Sequence, residues 1–130
     1  MTDRELINRA RAAMANSYSP YSRFAVGAAL ECSDGSVITG CNIECAALSC
    51  TLCAERVALA KAVSAGHRSF TRIAVYAEST RYCTPCGVCR QLLSEFSPNL
   101  EVLCVRADGR YVSYRLSDLL PASFGKDILE

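Results

Sequence analysis

Residues 52–96, LCAERVALAKAVSAGHRSFTRIAVYAESTRYCTPCGVCRQLLSEF, decide the fold because helix and strand patterns alternate along them. Residues 52–65 carry strong helix formers at helical spacing and end at Gly66, a helix-stopping residue. Residues 73–77 form a short apolar run that predicts a buried strand, and residues 86–96 predict a second helix. Strand–helix–strand connections join parallel strands, so this segment predicts a sheet with helices packed against it.

The flanking segments extend the same pattern. Thr2 and Glu5 have the spacing of a capping box, which predicts an opening helix. Two hairpins are expected, because two pairs of strand-like segments are each joined by a turn containing Asp-Gly. The predicted strands are residues 24–30, 37–43, 100–106 and 111–115, and a short final helix is predicted at 117–120. Hairpins combined with parallel crossovers predict an α/β fold on a mixed sheet.

Composition restricts the class of protein. The 130 residues are 51% hydrophobic and 21% charged, which predicts a single domain over residues 1–130. The net charge is +1 and the basic residues are dispersed, so no nucleic-acid partner is expected and a small substrate fits better. The longest apolar run, residues 24–30, is too short to span a membrane. Residues 1–14 lack the apolar centre of a signal peptide, so a cytoplasmic location is expected.

Cysteines carry the most informative motifs. Nine cysteines, an odd number, are more typical here of reduced thiols, some of them bound to metal, than of a disulfide framework. Cys53 begins one predicted helix, and Cys86 and Cys89 begin the next. A helix N-terminus stabilises the thiolate, which is the form that binds zinc. Three sulfurs leave the fourth tetrahedral position for water, which predicts a catalytic zinc site.

Two charged residues beside Cys53 complete the predicted chemistry. Glu55 could take a proton from the zinc-activated water and return it to a leaving amine. Three thiolates give the metal centre an excess negative charge, which would weaken zinc as a Lewis acid. A hydrogen bond from Arg56 to a sulfur, in the second shell of the metal, would offset that charge.

Spacing alone leaves a structural zinc site open. Cys50 and Cys53 also form a CxxC, and with Cys86 and Cys89 they supply four sulfurs, as in a non-catalytic module folded around zinc. Cys83 forms another CxxC with Cys86, so its approach to the metal is also open. The remaining cysteines lie in or beside apolar strands, where a core role without chemistry is expected: Cys32, Cys41, Cys45 and Cys104.

The only histidine, His67, follows a helix stop and precedes an arginine. This context predicts a solvated surface residue rather than a ligand or a base. A single histidine in such a context also argues against a Ser-His-Asp or Cys-His nucleophile.

The cysteine motifs match the signature of the zinc deaminases, in which cysteine or histidine, one residue and glutamate are followed by PCxxC. Further stretches extend the match along nearly the whole chain. The matching stretches are YSPYSRF (18–24), GCNIE (40–44), CAER (53–56), PCGVCRQ (85–91) and LLPASFG (119–125). Taken together, they resemble the small homotetrameric zinc-dependent cytidine deaminases.

This resemblance implies a three-layer α/β/α sandwich with a mixed, mostly five-stranded sheet. It implies one Zn²⁺ per chain and a homotetramer with subunit-shared sites. The implied reaction is hydrolytic deamination of cytidine and 2′-deoxycytidine to uridine and 2′-deoxyuridine plus ammonia, in pyrimidine salvage, with hydroxide on the zinc as nucleophile and Glu55 as proton shuttle.

The resemblance also implies individual roles around the substrate. Phe24 would pack on the pyrimidine, and Asn42 and Glu44 would hydrogen-bond the ribose hydroxyls. Backbone groups of Ala54 and Thr84 would read the base. Phe124 would reach the site of a neighbouring subunit.

Two positions depart from the family pattern. Cys45 stands where the family usually has asparagine, and Leu48 stands where many members have an aromatic residue. These departures leave open a second enzyme class, a deaminase of a cytosine-nucleoside antibiotic such as blasticidin S. Editing of polynucleotides fits less well, because a short chain without a basic groove cannot hold a strand by its phosphates.

Overall fold

The structure is a computed structural model that describes residues 1–129, with side chains through residue 127. The helices are α1 (Asp3–Met14), α2 (Ala54–Ser64), α3 (Gly87–Phe96) and α4 (Leu116–Leu119). The strands are β1 (Val26–Cys32), β2 (Val37–Cys41), β3 (Phe70–Ala77), β4 (Glu101–Val105) and β5 (Tyr111–Arg115). Two 3-10 helices cover Leu48–Cys50 and Lys126–Leu129. No helix in this described part is long and apolar enough to cross a membrane.

The strands form one five-stranded sheet in the order β2-β1-β3-β4-β5. The β3 and β4 strands are parallel and are joined through α3, whereas the other neighbours are antiparallel. The predicted mixed sheet is therefore confirmed. The predicted capping box also forms, since Thr2 and Glu5 bond each other's backbone N–H at the start of α1.

Helices cover both faces of the sheet. One apolar cluster packs α1 on side chains from β1, β3 and β4, and a second packs α2 and α3 on the opposite face of the same strands. The first cluster is centred on Leu6, Ile7, Ala29, Ala74 and Leu103. The second includes Leu30, Ala58, Leu59, Ile73, Leu93 and Val102. This is the expected α/β/α sandwich.

Several boundaries differ from the sequence-based prediction. The β1 strand begins at Val26 rather than Phe24, and residues 27–30 are all buried rather than alternately exposed. Period-two alternation requires a solvated face, whereas this sheet has helices on both sides. The α2 helix begins at Ala54, two residues later than predicted, because Cys53 is its N-cap.

The cysteines that we expected in the core are only partly there. Cys32 and Cys104 are buried, while Cys41 and Cys45 are half-buried. Burial raises the pKa of Cys104 to about 12, so that thiol stays protonated and behaves as a small apolar side chain.

Two glycines allow helices to lie directly on the sheet. A Cβ atom at Gly27 would lie 2.0 Å from the carbonyl oxygen of Ala10 in α1. A Cβ atom at Gly40 would lie 2.6 Å from both the carbonyl oxygen of Ala54 and the amide nitrogen of Ala58 in α2. The second contact sets the position of the N-terminus of α2, where the cysteine motif lies.

Candidate metal centre and substrate cavity

Three cysteine side chains converge where α2 and α3 begin. Cys53 is the N-cap of α2, Cys86 is the N-cap of α3, and Cys89 lies in the first turn of α3. The Sγ atoms of Cys53 and Cys86 are 3.8 Å apart, and those of Cys86 and Cys89 are 3.4 Å apart. The three sulfurs all lie within 4.8 Å of one another.

This donor set fits zinc. Two sulfurs bound to one tetrahedral zinc at about 2.3 Å lie about 3.8 Å apart, which is close to the separations seen here. Among the described residues, neither Cys50 nor Cys83 joins this group of sulfurs. Cys50 is exposed, and Cys83 lies along the wall of the adjoining cavity. The arrangement therefore has three thiol ligands and a fourth direction available to water.

Arg56 contacts the sulfur cluster as the sequence suggested. Its Nη2 donates to the Sγ of Cys53 at 3.6 Å and to the carbonyl oxygen of Thr51 at 2.9 Å. Hydrogen bonding from Cys89, together with the hydrogen bond and charge of Arg56, lowers the pKa of Cys53 to about 5. The pKa of Cys89 is raised, because its thiol donates to Cys53 and is buried. Arg56 therefore favours the thiolate form of Cys53, which is the form that binds zinc.

Glu55 lies beside the sulfurs and is only 4% exposed. Burial raises its pKa to about 7, and the negative charge of Cys53 adds to the rise. A carboxyl group with a pKa near neutral can both accept and donate a proton at physiological pH. The N-cap position of Cys53 places Glu55 in the first turn of α2, aimed at the cavity.

A cavity of about 220 Å³ adjoins the cluster and is mostly apolar. Seven of the predicted site residues line this cavity, together with two residues of β3, Val75 and Ala77. The predicted residues that line it are Phe24, Asn42, Cys53, Ala54, Glu55, Thr84 and Cys86. A planar base with a few polar edges matches a cavity of this chemistry.

Asn42 is buried and braces the cavity wall. Its Oδ1 accepts from the amide of Val26 at 3.0 Å and from the hydroxyl of Ser17. Its Nδ2 donates to the carbonyl oxygen of Phe24 at 2.8 Å. Because the amide nitrogen carries two hydrogens, one donor remains for a ligand.

Glu44 does not line the cavity and instead holds the loop that precedes Phe24. Its carboxylate accepts from the amides of Tyr21 and Ser22, each at 3.0 Å, and from the Ser22 hydroxyl. These bonds lower the pKa of Glu44, the largest effect coming from the Ser22 hydroxyl. Ser22 also accepts from the amide of Phe24 at 3.0 Å, so Glu44 and Phe24 are linked through it. A carboxylate has about four acceptor positions, which leaves about one for a ligand.

Phe124 lies away from the cavity of its own chain. Its side chain is 58% exposed, and its carbonyl oxygen accepts from the Gln91 side chain at 3.1 Å. The structure therefore does not bring Phe124 together with the other predicted site residues.

Arg90 organises the site although the sequence patterns predict no role for it. Arg90 donates to the carbonyl oxygens of Pro85 and Leu119 and to the Thr84 hydroxyl, at 2.6 to 2.7 Å. These bonds fix the turn that carries Cys86 to the cavity. The available signal was an arginine directly after the PCxxC motif, within the family-like stretch.

Comparison with known proteins gives one family. The sequence model of the "Cytidine and deoxycytidylate deaminase zinc-binding region" matches residues 1–105, which include all three clustered cysteines. A cytidine deaminase of Halalkalibacterium halodurans is 48% identical over 120 residues, covering 92% of this chain and 91% of the relative.

Comparison with solved structures supports the same family. The crystal structure of a cytidine deaminase from Burkholderia pseudomallei superposes with a TM-score of 0.92 at 45% identity, covering 95% of this chain and all of the other. A blasticidin-S deaminase of Bacillus cereus is more distant, at 34% identity over 110 residues and 78% of each chain. The chain therefore belongs to the zinc-binding cytidine and deoxycytidylate deaminase family.

Proposed function

We propose that this chain catalyses the hydrolytic deamination of cytidine and 2′-deoxycytidine to uridine and 2′-deoxyuridine plus ammonia. The observation that carries the proposal is the open three-sulfur cluster beside a buried glutamate at the end of an apolar cavity. Structural zinc sites use four closed ligands, whereas catalytic sites keep one position open. A role in pyrimidine salvage and a cytoplasmic location stay predictions from the sequence.

Cys53, Cys86 and Cys89 would hold the zinc, which when bound lowers the pKa of a water molecule so that it becomes a nucleophile at neutral pH. Glu55 would accept one proton from that water and pass it to N3 of the cytosine ring. It would then accept the second proton, from the hydroxyl added at C4, and deliver it to the amine as the C4–N bond breaks. Arg56 and the N-termini of α2 and α3 would offset the negative charge of the thiolates.

The remaining predicted residues would orient the nucleoside. Phe24 would pack on the base, and backbone groups of Ala54 and Thr84 would hydrogen-bond its polar edge. The free Nδ2 hydrogen of Asn42 and the unused acceptor position of Glu44 would bind the sugar hydroxyls. A site that pairs hydroxyls in this way discriminates against analogues that lack them.

Metal removal tests the function. We expect the purified protein to convert cytidine to uridine, followed by the change in absorbance, and to lose this activity on treatment with a strong chelator. Added Zn²⁺ should restore it, because the three thiolates bind zinc directly. Undiminished turnover by metal-free protein would contradict the proposal.

A comparison of cytidine with blasticidin S as substrates tests the substrate class. The kcat/KM for cytidine is expected to exceed that for blasticidin S, consistent with the greater identity to named cytidine deaminases. The reverse preference would assign the chain to antibiotic deamination, with Cys45 and Leu48 as the first residues to exchange.

The sugar contact is tested by Glu44→Gln. The glutamine oxygen can still accept from the amides of Tyr21 and Ser22, but an NH₂ group replaces the oxygen that accepts from the Ser22 hydroxyl, and the charged acceptor is lost. Losing one charge-assisted hydrogen bond of about 1.5 kcal/mol should raise KM for cytidine about tenfold, with a smaller change in kcat. Ser22→Ala, which removes one of the three loop donors, should show a weaker effect in the same direction. An unchanged KM in both variants would remove Glu44 from substrate binding.

The proposed assembly is a homotetramer in which Phe124 completes the site of a neighbouring subunit. Support comes from the family resemblance and from large apolar side chains exposed before α2, on α3 and near the C-terminus, of which Val88 and Leu92 line one surface groove. These side chains are Leu48, Leu52, Val88, Leu92 and Phe124. Sedimentation should give a mass about four times the 14.1 kDa of the chain. An active species at the mass of one chain would exclude both the tetramer and the cross-subunit role of Phe124.

A further inference from the structure

A second cluster of metal-binding side chains lies apart from the sulfur cluster. The ligand atoms of Cys32, Asp34 and His67 all lie within 4.8 Å of one another, and His67 Nδ1 is 3.7 Å from the Asp34 carboxylate. Cys32 ends β1, whereas Val26, at the other end of that strand, lines the substrate cavity. A strand of this length spans about 20 Å, so the two clusters are well separated.

The backbone holds His67 in a fixed position at the end of α2. The amide of His67 donates to the carbonyl oxygen of Ala62 at 3.0 Å, and that of Gly66 donates to Val63 at 3.1 Å. Gly66 has φ +103°, and this combination is a Schellman motif. The side chain of His67 is 24% exposed, so it is in part solvated, as the sequence predicts, and in part packed beside Asp34.

Asp34 is oriented by the turn between β1 and β2. One carboxylate oxygen, Oδ1, accepts from the amide of Ser36 at 2.9 Å and from its hydroxyl at 2.6 Å. The other oxygen, Oδ2, is the one that lies toward His67. Metal-binding carboxylates are commonly held by such outer hydrogen bonds, which fix the direction of the free oxygen.

Cys32 is placed by an irregularity in the sheet. The register between β1 and β3 shifts between Glu31 and Cys32, and such bulges redirect side chains. The two turns are joined next to it, because Ser33 donates its amide to the Ser69 carbonyl at 3.0 Å and their hydroxyls are 2.7 Å apart. All three candidate ligands therefore come from backbone that is fixed before any ion binds.

We infer that Cys32, Asp34 and His67 bind a second divalent transition-metal ion, with Zn²⁺ the best match to one sulfur, one oxygen and one nitrogen ligand. Zinc bonds of about 2.0 to 2.3 Å to these atoms place them about 3.3 to 3.7 Å apart, so a small inward movement closes the site. The thiol releases its proton to solvent on binding, and water fills the fourth position. The ion would clamp the β1–β2 turn to the C-terminal end of α2.

Counting metal ions tests this site. After equilibration with excess Zn²⁺ and removal of loosely bound metal, His67→Ala is expected to retain one zinc fewer per chain than the wild type. Asp34→Asn should also lose that ion. Both changes leave the buried core intact, whereas a substitution of Cys32 would alter it. Asp108→Ala is the matched control, because Asp108 occupies the corresponding turn between β4 and β5 and has no place in either group of metal ligands found among the described residues.

Deaminase activity should distinguish loss of this second ion from damage to the three-sulfur site. His67→Ala and Asp34→Asn should turn over cytidine as the wild type does, because their side chains lie far from the cavity. Equal zinc content in the wild type and His67→Ala would overturn the inference. Loss of an ion from Asp108→Ala to the same extent would also overturn it, since the ion would then not depend on these ligands.

Discussion

Glu55→Gln is expected to lower kcat for cytidine by about 10²–10⁴-fold, the usual contribution of a general acid–base group. Glutamine matches glutamate in shape, so the cavity and the sulfur cluster should keep their geometry. The amide cannot take a proton from water or deliver one to the leaving amine. The variant should therefore bind zinc and cytidine while failing to turn the substrate over.

Zinc content and kcat measured on the same preparation test this expectation. Glu44→Gln is the matched control, because it makes the same chemical change at a carboxylate outside the cavity and should alter mainly KM. If Glu55→Gln kept its zinc and retained near-normal kcat, Glu55 would have no part in proton transfer. If it lost zinc, the glutamate would be needed for the metal site itself.

Gly40→Ala is expected to destabilise the fold by about 3 kcal/mol or more, the upper range for overpacking in a core. The new methyl group would lie 2.6 Å from backbone atoms of Ala54 and Ala58, and backbone cannot move aside as a flexible side chain can. The α2 helix must therefore shift away from β2. Since Cys53 and Glu55 are at its N-terminus, the shift should also weaken zinc binding.

Unfolding in denaturant measures the loss of stability in Gly40→Ala, and zinc content measures the weakening of the metal site. Gly87→Ala is the control for stability, because a Cβ atom there would meet nothing within 4 Å. Gly27→Ala is the control for position, since it should displace α1 on the opposite face and destabilise the protein while leaving the zinc of the folded fraction in place. Wild-type stability in Gly40→Ala would show that α2 is not held against β2 as described.

Much of this arrangement follows from local sequence patterns. The two helix starts could be predicted to within about two residues, because strong helix formers follow a cysteine in each segment. The mixed sheet could be predicted because two hairpins flank a strand–helix–strand crossover. Here local propensity and the long-range packing require the same structure.

Other features depend on contacts that no local pattern records. His67 resembled a surface residue because its neighbours in sequence are Gly66 and Arg68, whereas its partner Asp34 comes from a distant turn. Two of the three acceptors of Arg90 are backbone carbonyl groups, which every residue has and which no sequence pattern can identify. The complete burial of residues 27–30 depends on α1 covering the second face of the sheet.

The hydrogen bonds of Asn42 determine how variants of the cavity wall must be interpreted. One amide joins Ser17, Phe24 and Val26, so replacing it loosens the aromatic residue as well as removing the amide itself. The free energies lost in Asn42→Ala and Phe24→Ala will therefore not sum to that of the double variant. The difference is the coupling energy between the two side chains. It measures how strongly binding of the base and binding of the sugar depend on each other.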